Sequence, residues 1–318
     1  MIQQWPARFR TFLISILCLG FAQGLAAKQI LPAPTKISPH VYVWIGPYEG
    51  PNKVNQGFRM NMAFVVGEHA VAVIDTGYSS SMAEEMLVYV RQVTTKPVKY
   101  AFNTNSQPHR FMGNDVFKQV GAELISHPLE AKRMQSMSGV FIGGIERALA
   151  LPRDSVKFPA IPNKLIETAT DYDLGGVRLS VVSHGQSHTP ASLVIHVPED
   201  NIVYAGDVLY GQRMLAILPD SGIKNWIDTF NKLKQYGKVT FIPGHGQPGT
   251  LQSFEFSTLA YLKMLYSHMT KAIDDGVDMD GSIKSLDQSK YAQLINYKQL
   301  AGRNASWAYL EAERASFE

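Results

Sequence analysis

The chain has a single cysteine among 318 residues, Cys18, and it lies in an N-terminal segment that reads as a removable leader. A mature chain without it has no disulfide and no thiolate ligand, so any metal must be held by His, Asp, Asn, Gln or water. Charged residues are sparse too, at 18%, and nearly balanced, with a net charge of +3. Lys and Arg are scattered rather than blocked, which argues against a nucleic-acid partner. The apolar run Phe12 to Phe21 is too short to span a bilayer comfortably. No short-period repeat or low-complexity tract is evident. The hydrophobic share of 45% is enough for one large α/β domain plus an appendage.

Residues 1–27 read as a secretory signal. Arg8 and Arg10 supply the positive start, Phe12 to Phe21 the apolar stretch, and Leu25-Ala26-Ala27 the small residues before a cut at Lys28. Leu17 before Cys18 is a poor fit to lipoprotein processing, so no lipid anchor is expected. Removing Arg8 and Arg10, with no acid lost, takes the net charge from +3 to +1 (3 − 2). The expectation is a periplasmic or secreted protein with no stable membrane insertion after processing.

Val41 to Ile45, Met62 to Val66 and Ala70 to Ile74 are β-rich, with Gly67-Glu68-His69 as the turn of a hairpin. Ser81 with Glu84 reads as a capping box ahead of a helix over Met82 to Val93. Val98 to Phe102 is a short buried strand, Asp115 to Val120 a helix and Ala122 to Ile125 a strand. Pro128, preceded by His127, opens a helix to about Leu149. Further strands fall at Val177 to Val182, Ser192 to Val197, Ile202 to Ala205 and Val239 to Ile242, with a helix over Trp226 to Tyr236. From residue 251 to 318 the pattern is helical, broken at Gly276 and at Asp278 to Gly281. Two strand-rich halves with helices outside predict an α/β four-layer αβ/βα sandwich over 28–250, followed by a helical C-terminal extension. Its aromatic residues, Tyr261, Tyr266, Tyr291, Tyr297, Trp307 and Tyr309, read as packing.

The chemistry-bearing residues follow predicted strands. They are the stretch Asn103-Thr104-Asn105-Ser106-Gln107-Pro108-His109-Arg110-Phe111-Met112-Gly113-Asn114, then His188 in His-Thr-Pro, Asp207 in Ala-Gly-Asp and His245 in Pro-Gly-His-Gly. Side chains presented from strand ends are held rigidly enough to build a metal site. From about Pro39 to Pro248 the chain resembles the metallo-β-lactamase-fold hydrolases. Within them it is similar to the periplasmic quinoprotein relay system metallohydrolases, related to sulfur-oxidation accessory proteins. Pro108, Gly113 and Asn114 keep the loop frame of that group, and Arg303-Asn304 and Tyr309-Leu310-Glu311 fit its helical tail.

The resemblance implies a two-metal site built from an HxHxDH loop, a further His, a bridging Asp and a last His. Two ions there would lower the pKa of a shared water and stabilise the leaving group. Here Asn105 and Gln107 stand at the first two His positions, His109 at the Asp, and Arg110 at the last His. Carboxamides bind zinc weakly compared with imidazole, so the first metal position keeps only His188. The second gathers His109, Asp207 and His245, a set with room for one zinc ion. Arg110 is always charged. Pointing inward, it would repel a cation or replace one by pairing with Asp207; pointing outward, it could bind a substrate carboxylate. Asp75 in Ile-Asp-Thr-Gly resembles the family's structural aspartate and would orient the ligands from behind. His184 reads as a surface or supporting residue.

Two functions are expected from this pattern. One is a hydrolase with a mononuclear zinc site, acting on a small ester, thioester or amide. In it His109, Asp207 and His245 would bind metal, and His188 would serve as ligand or base. The other is a metal-free relative, catalytically inactive, that acts as a binding or accessory protein for a periplasmic redox system.

Overall fold

The computed structural model describes Met1 and residues 29–317, so the leader expected over 1–27 lies outside the described residues. The first half comprises β1 (Thr35–Lys36), β2 (Val41–Trp44), β3 (Met62–Val66), β4 (Val71–Ile74), α1 (Ser80–Val93), β5 (Val98–Phe102), α2 (Pro108–Phe111), α3 (Asn114–Gln119), β6 (Glu123–Ser126), α4 (Pro128–Ser136), α5 (Ser138–Leu149) and β7 (Lys164–Leu165). The second comprises β8 (Thr170–Asp173), β9 (Arg178–Ser183), β10 (Leu193–Val197), β11 (Ile202–Tyr210), α6 (Ile223–Lys232) and β12 (Thr240–His245). Then come α7 (Tyr261–Asp274), α8 (Met279–Ser285) and α9 (Tyr297–Ala315).

The strands form two sheets, one of seven in the order β1-β2-β3-β4-β5-β6-β7 and one of five in the order β12-β11-β10-β9-β8. Pairing in the first sheet is antiparallel as far as β4 and parallel from β4 to β7. In the second, only β11 and β12 run parallel. Side chains alternate across each strand, so each sheet serves two cores. Between the sheets, Ala63, Val65, Ile74 and Phe102 meet Leu179, Leu193, Ile195 and Tyr204. The opposite face of the first sheet, including Phe64 and Val73, packs on Met82 and Met86 of α1 and Phe117 of α3. The opposite face of the second, including Val203 and Phe241, packs on Trp226 and Phe230 of α6, Leu262 of α7 and Ala305 of α9. This is the expected helix–sheet–sheet–helix sandwich, and the C-terminal helices share the core of its fourth layer. Truncating a ring such as Phe230 to Ala would cost about 3–5 kcal/mol.

Several local expectations are corrected. The first long helix is capped by Ser79, whose side chain accepts from Met82 N, and not by Ser81. Its helix therefore starts two residues earlier, at Ser80. The helix expected over Pro128 to Leu149 breaks at Met137, which ends α4 and begins α5. His127 does cap its start, accepting from Leu129 N at 3.2 Å. The helix expected from Trp226 begins at Ile223, because Glu311 of α9 accepts from Ile223 N at 2.7 Å and supplies a cap from far along the chain. Asp207 and His245 lie within β11 and β12 rather than in loops after them. A bulge in β11 around Gly206, at φ +53°, rotates the strand there and aims Asp207 at the gap between the sheets.

Candidate functional site

The site forms where the ends of β4, β5, β11 and β12 meet. Asn103 carries the frame of the loop after β5: its Nδ2 donates to Arg110 O and to Asn114 Oδ1, both at 2.9 Å. Thr76 Oγ1 donates to the same Asn114 oxygen at 2.9 Å. Ser106 N donates to Glu130 Oε2 at 2.9 Å, and Ala191 N donates to the other Glu130 oxygen at 2.7 Å. Glu130 thereby joins this loop to the one carrying His188. Gly113 is required by the packing, since a Cβ there would collide with Thr76 O and Ala83.

Arg110 points inward and is fully buried. Its Nη2 donates to Asp207 Oδ1 at 2.6 Å and its Nε to Asp207 Oδ2 at 3.1 Å, a two-pronged pair. Its Nη1 donates to Asp75 Oδ2 and to Asn61 O, both at 2.8 Å. Asp75, at φ +62°, is held in turn by Thr104 N at 2.8 Å and Tyr204 OH at 3.0 Å. The conformation is uncommon for a residue with a side chain, and these bonds fix it. Asp75 thus stands behind Arg110 rather than behind a histidine. Gly244 explains the Pro-Gly-His-Gly motif: a Cβ there would collide with Asp207 Oδ1 and lie 2.6 Å from Arg110 Nη2.

Asn105 Nδ2 donates to Asp207 Oδ2 at 2.8 Å, and its Oδ1 accepts from Gln107 N at 2.8 Å. Gln107 precedes α2 without capping it through its side chain. His109, Asp207 and His245 come together, with one ligand atom from each within 4.8 Å of the others. His109 Nε2 is 3.6 Å from Asp207 Oδ2, too long for a hydrogen bond, and is buried without a partner. His245 Nε2 is 3.5 Å from Asp207 Oδ1. His245 Nδ1 lies 2.8 Å from Arg59 O, and a carbonyl can only accept, so Nδ1 carries the proton and Nε2 is bare. His188 is fixed in the same way by Ala216 O at 2.9 Å. Its ring packs on Tyr210 and Trp226, and it stands apart from the three-donor group. His184 faces Tyr236 instead, and Asn304 of the helical tail is buried with its side chain bonded to Ile217 N and Leu215 O.

Burial drives all three site histidines toward the neutral form: His109 down to about 3, His188 to about 4, and His245 well below its ordinary value. Burial pushes the Asp207 carboxyl up, but the guanidinium of Arg110 and the neighbouring histidines together outweigh it and hold Asp207 well below the usual range. Arg110 is held well above its ordinary value by Asp207 and Asp75, against the cost of burial. A divalent ion makes two demands on these residues, donor geometry and charge. The donor atoms and their spacing suit one. The charge does not, because Asp207 is already paired through both oxygens with a fixed cation and also bonded by Asn105. An ion bound through Asp207 would have to displace that pairing, so the site as it stands does not fit one.

Asn61, Tyr204 and Glu130 carry no signal in the sequence. A buried arginine in the loop demands acceptors, but nothing along the chain says which residues supply them. A cavity of about 780 Å³, lined by Gln186, Asp220, Lys224, Tyr266 and Glu311 among others, contains none of the site residues.

Residues 57–245 match the model of the metallo-beta-lactamase superfamily. Metallo-beta-lactamase IND-1 of Chryseobacterium indologenes is 24% identical over 242 residues, covering 75% of this chain and 91% of that protein. The acyl-coenzyme A thioesterase MBLAC2 of Gallus gallus is 30% identical over 91 residues, 27% of this chain and 32% of that one. Among solved structures, a metallo-beta-lactamase from Pontibacter korlensis superposes with a TM-score of 0.60 at 22% identity, covering 72% of this chain and 98% of its own.

Proposed function

The chain belongs to the metallo-beta-lactamase superfamily, and from that premise we propose that it is a metal-free, hydrolase-like protein that binds a small molecule. Members of the superfamily typically bind metal ions, and this chain keeps the His109, Asp207 and His245 cluster. One observation carries the proposal: the Arg110 guanidinium is paired with Asp207 at 2.6 and 3.1 Å and with Asp75 at 2.8 Å. Arg110 supplies the positive charge that an ion would otherwise bring, and it is covalently tethered. Three neutral histidines then line a closed site without a strong nucleophile beside them, which favours binding over hydrolysis. The leader read from residues 1–27 supports a place outside the cytoplasm.

A second reading is a hydrolase with one zinc ion at His109, Asp207 and His245, favoured by the spacing of those donors and the fixed tautomer of His245. Elemental analysis of protein purified without chelator decides between them. Less than a tenth of an equivalent of transition metal supports the metal-free protein. One equivalent, lost together with esterase or thioesterase activity on dialysis against chelator, would establish the zinc enzyme instead.

A further inference from the structure

We propose that Arg59 and Arg213 form a receptor for an oxyanion, the carboxylate or phosphate of a small molecule bound against His245. The inference rests on reading the histidine-lined site as a ligand pocket, and it holds whether or not metal is present.

Arg213 is 6% exposed and Arg59 is half-buried. The Nε of each is sealed from solvent without a hydrogen-bond partner. Neither guanidinium makes an ion pair among the described residues. The other buried arginines each have a carboxylate partner: Arg110 has Asp75 and Asp207, and Arg133 has Asp220 at 2.7 Å. A buried arginine is rarely left without a counter-charge, because desolvating the ion must be compensated.

The two arginines flank His245. The carbonyl of Arg59 accepts from His245 Nδ1 at 2.8 Å. At the backbone of His245, Gly211 N donates to His245 O at 2.8 Å, and Arg213 N donates to Gly211 O at 2.6 Å. The turn carrying Arg213 passes through Gln212 at φ +57°, a conformation that needs support. The C-terminal extension gives it: Ile295 N donates to Gln212 O and Met214 N to Ile295 O, both at 3.0 Å. Gln212 Oε1 also accepts from Gln247 N at 2.9 Å.

The charges do not balance within the protein. Arg59, Arg110 and Arg213 make three cations against the two carboxylates Asp75 and Asp207, and Arg110 already holds both acids. The other titratable neighbours of Arg59 and Arg213 include His245, which burial and the arginines keep neutral, and Tyr78 and Tyr210, whose phenols burial keeps protonated. Burial, together with Arg59 beside it, lowers Arg213 to about 10, so it stays charged at neutral pH. An oxyanion from solution completes this arrangement, and guanidinium groups match its geometry.

The test is calorimetric titration and thermal unfolding of the full chain with inorganic phosphate, sulfate and succinate. Chelator is present throughout, and ionic strength is matched with chloride. At least one oxyanion should bind at one per chain and raise the melting temperature, while chloride does not. Phosphate or sulfate alone identifies a phosphate-type site, and succinate a carboxylate site. Arg213→Gln and Arg59→Gln should each weaken binding at least tenfold, and the double variant should abolish it. Arg153→Gln, at an exposed position, should leave it unchanged. Without anion, Arg213→Gln should melt no lower than the parent, since it removes an uncompensated charge. No oxyanion bound by the parent, binding retained by the double variant, or a large loss of stability in anion-free Arg213→Gln would each overturn the inference. Oxyanion binding by protein that proves to hold zinc would support it while sinking the metal-free reading.

Discussion

Replacing Arg110 by histidine restores the residue type that a superfamily site carries there and removes the fixed cation. Six hydrogen bonds vanish with the guanidinium, to Asp207 (two), Asp75, Asn61 O, Tyr204 OH and Gly244 O. Two carboxylates, Asp75 and Asp207, are left fully buried without their counter-ion. Breaking a buried pair by removing one partner costs about 3–5 kcal/mol. With an unfolding entropy of about 2.1 cal/mol/K per residue over roughly 290 residues, the loss lowers the melting temperature by about 5–8 °C. The same change opens Asp207 to a cation next to His109 and His245, and adds an imidazole. Zinc at about 100 times its dissociation constant then returns about 2.7 kcal/mol, most of the loss. The assay is thermal unfolding by circular dichroism, with and without zinc, for the parent and Arg110→His. Zinc should leave the parent unmoved and stabilise the variant. A variant as stable as the parent without metal would refute the assignment of Arg110 as the structural cation. A parent destabilised by chelator would refute the claim that the site does not fit an ion.

Other outcomes follow from the same geometry. Gly244→Ala should cost several kcal/mol by denaturant unfolding, because its methyl group collides with Asp207 and crowds Arg110. The combined change Asn105→His, Gln107→His, His109→Asp and Arg110→His leaves Pro108, Gly113 and Asn114 in place. It should raise zinc content toward two equivalents by elemental analysis; no gain in a folded variant would mean that the loop frame does not support the family's site. Glu311→Ala should destabilise by about 1 kcal/mol through loss of the cap on α6, read as a lower denaturant midpoint. His184→Ala should change neither metal content nor oxyanion binding, since its ring faces Tyr236.

The sandwich was legible because its strands are short apolar runs bounded by turn residues, a pattern local to the chain. Met62–Val66 is buried almost throughout, as a strand covered on both faces requires. That Asp207 and His245 come together was legible for a related reason: each lies in a strand and sits in a short motif whose glycine or proline shapes the local backbone. The loss of ligands at Asn105 and Gln107 was equally plain, because it is a matter of residue type. Ser79 was missed as the cap because two neighbouring serines compete, and only the path of the chain into the helix chooses between them. Glu311 as the cap of α6 was beyond reach, since its partner lies 88 residues away.

What sequence alone determined is therefore the scaffold and the absence of two strong metal ligands. The direction of Arg110 belongs to the tertiary structure. Its residue type allowed an ion pair inside or a substrate contact outside. The choice was made by acceptors from Asn61, Asp75, Tyr204, Asp207 and Gly244, which four different segments bring to one point. The same holds for Arg59 and Arg213, scattered basic residues along the chain. They become an unbalanced pair only when the turn after β11 and the loop before β3 both close on His245. A charge's partner depends on distances across the fold, and no local pattern encodes those.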